Sequence, residues 1–318
     1  MALSHSYVRG LQDAVNDNLD LLPSEYRQMA APVIPIRRPN LDIDLPNLTA
    51  RLDAENGILW ARMKHAERAC YTPELMQDMR DLQRYLREQL TGVAPADMPF
   101  RYLVWASAAK GVYSLGGDLT NFTQMIRSGD QAGLRAYAHR AIEIIHDNYV
   151  CLDLPILTVA LVQGDAIGGG FEAMLSDDIV IAERDAKFGL PEILFNLFPG
   201  MGAYSFLKRK LGMQGARELI ESGLSRSALE MKAMDVVDVV CAPGEGEAAL
   251  LRYIEENAAT FATRRTLRQA RRRVDPVSLD ELEEIVDMWT DLAMELSPDD
   301  LRRMDCLARV QMKKRAKA

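Results

Sequence analysis

Between Val162 and Gly202 the chain reads VQGDAIGGGFEAMLSDDIVIAERDAKFGLPEILFNLFPGMG. Its glycines constrain the fold more than any other feature. The stretch opens as the end of an apolar run, Ile156 to Val162, of strand length and strand composition. Gly164, Gly168, Gly169 and Gly170 then break the chain. Glycine at this density permits positive φ and lets a ligand approach bare backbone. Phe171 to Leu175 reads as the first turn of a helix. A glycine-rich turn entering a helix presents unpaired N–H groups and the positive end of the dipole. Such a turn suits a phosphate or the oxygen of a polarised carbonyl.

The spacing helps to choose. It is neither G-x-G-x-x-G nor G-x-x-x-x-G-K-[ST], so the nucleotide-binding patterns fail. A carboxylate, Glu172, follows the triple glycine by two residues, and a second, Glu192, sits in FGLPE after another apolar run, Ile179 to Ala182. Carboxylates beside a donor-rich loop would repel a phosphate. They suit proton transfer next to a developing oxyanion.

The segments GDAIGGGFE and SDDIVIAERDAKFGLPE resemble the enoyl-CoA hydratase (crotonase) superfamily. The resemblance implies an α/β fold, a ββα spiral with a C-terminal helical region. It places Glu172 and Glu192 where the hydratases carry their two catalytic glutamates, and makes Gly169 one oxyanion-hole donor. YSLGGDL, Tyr113 to Leu119, is similar to the family's F-x-A-G-x-D loop, which implies Gly117 as the second donor. Most hydratases continue with a G-G-T-Q-R-L-like segment, whereas this chain reads LFPGMGAYSFL from Leu197 to Leu207. That segment, with SLGGDL, ERACYTPEL and SPDDLRRMDCLARVQ, resembles the bacterial diffusible signal factor synthases. Those are crotonase-fold enzymes that make cis-2-unsaturated fatty-acid signals. The superfamily resemblance runs from about Leu41 to the C terminus. It implies a 3-hydroxyacyl thioester substrate on acyl carrier protein or CoA, dehydrated and then hydrolysed, with no further cofactor. It also implies a homotrimer or hexamer, a cytoplasmic setting, and room for a sensor-kinase partner.

The rest of the chain fits an α/β protein. Residues 1–40, interrupted by Pro23, Pro32, Pro35 and Pro39, read as a partly ordered extension. Residues 41–244 form the expected spiral core. Strands are predicted at Ile58 to Met63, Tyr102 to Ala106 and Val236 to Val240. A helix is predicted from Thr72-Pro73-Glu74, which supplies a cap, a first-turn proline and an acidic first turn. Strand, strand and helix recur, which alone gives only helices covering a sheet. Residues 245–318 read as wholly helical, a region for oligomerisation and active-site cover. There Leu279, Leu282, Ile285, Val286, Trp289, Leu292 and Leu296 make a broad apolar face. Trp289 falls where the signal synthases have a pocket tryptophan, so Ile285, Trp289 and Leu292 are expected to line the acyl pocket.

Arg264, Arg265, Arg268, Arg271, Arg272 and Arg273 are a basic cluster in a chain of net charge −8. They read as a solvated helix face or, more sharply, a dock for an anionic carrier through Arg268, Arg271 and Arg272. The overall acidity argues against nucleic acid or an anionic membrane as partner. The four cysteines are scattered without C-x-x-C and read as free thiols. No apolar run reaches the ~20 residues that span a bilayer, and no secretory signal is visible. His139 and His146 share a helix face without the acids or thiols of a metal site, so no metal is expected. Neither Ser114 nor Ser205 lies in G-x-S-x-G. Two other readings remain: a metabolic enoyl-CoA hydratase or isomerase, and a non-catalytic protein that binds acyl thioesters or a sensor kinase.

Overall fold

The computed structural model describes residues 39–65 and 68–315. The extension expected over residues 1–40 lies outside that range, but for its last two residues. Two sheets form the core. The larger holds β1 (Ile43–Asp44), β2 (Leu48–Asp53), β3 (Ile58–Met63), β4 (Tyr102–Ser107), β6 (Leu157–Val162), β8 (Ile179–Glu183) and β11 (Val239–Cys241), in that spatial order. Strands β1 to β3 are antiparallel neighbours, and every pair from β3 to β11 is parallel. The smaller sheet runs, edge to edge, β10 (Arg226–Ser227), β9 (Lys187–Gly189), β7 (Gly164–Ile167) and β5 (Gly111–Ser114).

Consecutive strands divide between the sheets. Strand β4 is followed by β5, β6 by β7 and β8 by β9, the first of each pair in the large sheet and the second in the small one. This is the ββα spiral that the resemblance implied. Parallel strands covered on both faces lose the apolar–polar alternation and read as continuous apolar runs. Every residue of β6 and β8 is buried accordingly. The period of two survives as a choice between two cores. Tyr102, Val104 and Ala106 of β4 face one apolar cluster, and Leu103 and Trp105 face the other.

Helix α1 (Pro73–Leu90) begins as the sequence predicts: Thr72 Oγ1 accepts from the Leu75 amide at 3.2 Å, and Pro73 opens the first turn. Its Leu75, Met79, Leu82, Leu86 and Leu90 are buried. Helices α2 (Leu119–Ser128) and α3 (Gln131–Tyr149) follow β5, and α4 (Gly169–Leu175) follows β7. Helix α5 (Ala203–Ser222) is broken at Gly212, which has φ 72° and ψ 172°, so two shorter helices abut there at a kink. The predicted last strand is displaced. Val236 and Val237 are buried in the turn after α6 (Ala228–Ala233), where both amides donate to the Met231 carbonyl, and the strand starts at Val239.

Four helices end the described chain: α7 (Gly246–Asn257), α8 (Phe261–Val274), α9 (Leu279–Met294) and α10 (Pro298–Arg315). Helix α7 packs on the large sheet, with Ala249, Leu250 and Ile254 buried against β4, β6 and β8. Helix α9 lies along α3. His139 Nε2 meets Asp287 Oδ1 at 2.8 Å, and Arg135 pairs with Asp287 and Asp291, each at 3.0 Å.

The basic cluster on α8 does not act as one surface. Arg272 turns inward, donating to Asp178 Oδ1 at 2.5 Å and to Cys151 Sγ at 3.1 Å, with both charged side chains largely buried. This corrects the expectation that Arg272 is free to dock a carrier: its guanidinium is committed to a buried carboxylate. Removing one partner of a buried pair typically costs about 3–5 kcal/mol, because the other charge is left uncompensated. Arg272→Met should therefore lower the melting temperature by many degrees, measured by thermal circular dichroism. A melt unchanged from the wild type would return Arg272 to the surface cluster.

Candidate active site

Two backbone loops meet where β5 and β7 end. Strand β7 leads into Gly168, at φ 54° and ψ −129°, a conformation that only glycine adopts readily. A Cβ there would lie 2.7 Å from Glu192 Oε1. Strand β5 leads into Gly116, at φ 86°, where a Cβ would lie 2.8 Å from the Gly169 nitrogen and 2.9 Å from the Ile167 carbonyl oxygen. The loops thus pack backbone against backbone. Gly117 and Gly169 come together, and a Cβ on Gly169 would stand 3.4 Å from the Gly117 nitrogen.

The first loop is pinned from behind. The Asp118 amide donates to Tyr137 Oη at 3.2 Å, and Tyr137 Oη donates to the Tyr71 carbonyl. Asp118 also caps α2 through the Asn121 amide and pairs with Arg68 at 2.7 Å.

Glu172 lies on α4, every residue of which is buried. Its Oε1 accepts from the Met201 amide at 2.7 Å and the Ala203 amide at 3.1 Å. Met201 belongs to the turn Pro199–Gly200–Met201–Gly202 that opens α5 and Ala203 is the first residue of that helix, both within the segment that departs from the hydratase pattern. Burial, and then repulsion from Glu192, push the Glu172 carboxyl well above the usual range, while the two amides pull it back. Glu192 opens a 3₁₀ turn, Glu192–Phe195, after Pro191. It is half-buried, and its Oε2 is buried without a hydrogen-bond partner. Burial pushes its carboxyl up to about 7.

Both glutamates open onto one apolar cavity of about 150 Å³. Gly117 and Gly169 lie at its polar end. Phe122, Tyr137, Ala141, Phe195 and Leu197 line its sides, and Val286, Trp289 and Leu307 close it from the C-terminal helices. Trp289 is 6% exposed and stacks edge-on against Phe122, ring centres 5.4 Å apart. Its indole lies on the backbone of Gly200, where a Cβ would come within 2.6 Å.

Ile285 and Leu292 do not line the cavity, which corrects their assignment. Leu292 is 37% exposed, and Ile285 is only half-buried. At about 100° per residue, Leu282, Val286 and Ala293 fall on one side of Trp289, and Ile285 and Leu292 on the other. The buried stripe of α9 follows the first side. Tyr137, Phe122 and Leu307 were missed. Leu307 lies on α10, which is tied across the site by Asn196 Nδ2 to Asp300 Oδ1 at 3.0 Å and Arg127 to Asp305 at 2.5 Å.

The profile of the enoyl-CoA hydratase/isomerase family matches residues 72–300. The chain belongs to this family. Over 187 residues it is 30% identical to the α subunit of the fatty acid oxidation complex of Idiomarina loihiensis, which is 59% of this chain and 25% of that protein. The chain therefore spans only a quarter of the length of that curated relative. Among solved structures it is similar to DspI of Pseudomonas aeruginosa, at 26% identity and a TM-score of 0.61, covering 77% of this chain and 96% of that one. It also shares its fold with an enoyl-CoA hydratase of Bacillus halodurans, at 19% identity and a TM-score of 0.67, covering 82% and 99%. Among the described residues, no helix of this crotonase-fold chain is long and apolar enough to cross a membrane.

Proposed function

We propose that the chain dehydrates a 3-hydroxyacyl thioester to a cis-2-enoyl thioester and then hydrolyses it, releasing a cis-2-unsaturated fatty acid. The observation that carries the reading is the meeting of Glu172 and Glu192 in one apolar cavity beside the loops of Gly117 and Gly169. Amide donors at the thioester oxygen stabilise the enolate formed when the C2 proton leaves. Glu192, with a free buried oxygen and a carboxyl near neutrality, takes that proton. Glu172, its carboxyl pushed well above the usual range by burial and by Glu192, gives its proton to the departing 3-hydroxyl, which leaves as water. Its Oε1 already accepts two amides, so the transferable proton sits on Oε2. In the second step water adds to the thioester carbonyl at the same donors and the carrier thiol leaves. The cis geometry and the hydrolysis rest on the likeness of LFPGMGAYSFL and the other short blocks to the signal synthases.

The pH profile follows from this assignment. Below about 7 Glu192 holds its proton, so the dehydration rate should rise with pH through that value. It should fall again where Glu172 loses its proton. The two limbs belong to the pair as a whole. A rate flat from pH 5 to 9 would remove both carboxyls from proton transfer.

The likeness to the fatty acid oxidation subunit favours a second reading, reversible hydration of an enoyl-CoA at the same site. Incubation with a 3-hydroxyacyl carrier protein, followed by mass spectrometry of extracted lipids, separates the readings. Free unsaturated acid supports the first, an unsaturated thioester the second, and no conversion a protein that only binds. Arg268 and Arg271 are the remaining candidates for docking the carrier, and a homotrimer or hexamer is the assembly we infer from the family.

Trp289 sets the far wall of the acyl site in this reading. Each buried CH₂ gains about 0.8 kcal/mol, so chain length is read by where the wall stands. Trp289→Ala should move the product profile toward longer chains and weaken binding of the preferred one. A changed oligomer on a sizing column with an unchanged profile would assign Trp289 to packing instead.

A further inference from the structure

A second cleft opens at the other end of α4 and shares no lining residue with the acyl cavity. Ser176, Asp177 and Asp178 form one side, Arg209 and Lys210 of α5 another, and Arg268 and Arg271 of α8 the third. Two of its cations are already paired. Arg272 is held by Asp178, and Arg209 by Glu281 at 2.8 Å and Asp275 at 3.3 Å.

The other cations are not so held. Lys210 and Arg268 make no ion pair or hydrogen bond among the described residues, and Arg271 donates only to the Arg209 carbonyl, at 3.0 Å. Lys210 and Arg268 are half-buried. Burial holds the Lys210 ammonium below the usual lysine range, Asp238 opposes this, and Arg271 and Arg268 push it further down. Asp177, 5% exposed, also lines the cleft, and its Oδ1 is buried without a partner. Burial raises its carboxyl well above the usual range, and Asp178 adds to this, while Asn148, Lys210 and Thr158 pull it back.

We propose that this cleft binds a compact phosphate group, as the free ion or as a phosphate ester. Three converging cations, Lys210, Arg268 and Arg271, match the several acceptor oxygens and double charge of phosphate. The spread carboxylates of an acidic protein surface fit less well, because the half-buried Lys210 is only partly open to a flat partner. The inference does not rest on the dehydratase reading, since binding is measured without turnover.

Calorimetric titration of the full chain with inorganic phosphate, and separately with CoA, tests it at low ionic strength. The wild type should bind phosphate. Lys210→Met and Arg268→Gln should each weaken binding about tenfold, because each removes a charge-assisted contact. Arg268 is half-buried and without partners, so its variant should fold even if the lysine variant does not, and thermal melts of both check this. Parallel weakening of CoA binding assigns the site to an ester phosphate. Weakening of inorganic phosphate alone assigns it to the free ion. Absence of phosphate binding, or equal affinity in both variants, overturns the proposal. So does a carrier protein lacking its prosthetic phosphate that binds through Arg268 while phosphate does not.

Discussion

Glu172→Gln should lower turnover by about 10²–10⁴-fold and leave the fold intact. The amide keeps an oxygen for the Met201 and Ala203 donors, so the cradle around Oε1 survives. Its nitrogen can donate a hydrogen bond to a leaving hydroxyl but cannot release a proton to it. The substitution should also change stability in a defined direction. A carboxyl whose folded pKa lies above its unfolded value is favourable to folding only while protonated. That contribution is present below the unfolded value, near 4.3, and is lost as pH rises toward the folded one. The glutamine variant lacks this loss, so its melting temperature should gain on the wild type as pH increases. Glu192→Gln should show the same pattern of lost activity. A kcat within tenfold of wild type in either variant, at equal folding, would take that residue out of the mechanism.

Gly169→Pro should cost about 10²–10³-fold in rate, the usual effect of deleting one oxyanion donor. Gly169 is the first residue of α4, where proline is tolerated because the N–H has no intrahelical partner to lose. The new ring meets the Met201 sulfur, at 2.6 Å from an added Cβ, and that side chain can swing aside. Circular dichroism and a melt establish that the variant is folded. Steady-state rates then report the missing donor, with kcat expected to fall more than KM rises. Wild-type turnover in a folded variant would place the oxyanion elsewhere.

How much of this was legible beforehand depended on where the information sits. The glycine loops and the two glutamates were visible because a strand, a tight turn and a helix start are local events written in adjacent residues. The spiral required the family resemblance, since periodicity cannot say which of two sheets a strand joins. The cradle of Glu172 left no trace, because it is made of backbone amides and any side chain at Met201 or Ala203 would supply them. Trp289 was suggested by the likeness to the signal synthases, and the apolar stripe around it was too broad to fix its rotational phase, which puts Val286 rather than Ile285 and Leu292 at the cavity. In the arginine run nothing distinguishes Arg272 from Arg268. Only the fold brings Asp178, 94 positions earlier in the chain, beside the former.

The tie between α10 and the turn after Glu192 joins two events that could have been independent. Asn196 ends the 3₁₀ segment that begins at Glu192, and its side chain holds Asp300 near the start of α10. Leu307, further along that helix, is part of the cavity wall. Any displacement of α10 would therefore be felt by the 3₁₀ segment that carries Glu192. One wall of the acyl cavity and the seat of Glu192 are thus a single mechanical unit: whatever shifts Leu307 also strains the turn that carries the carboxylate.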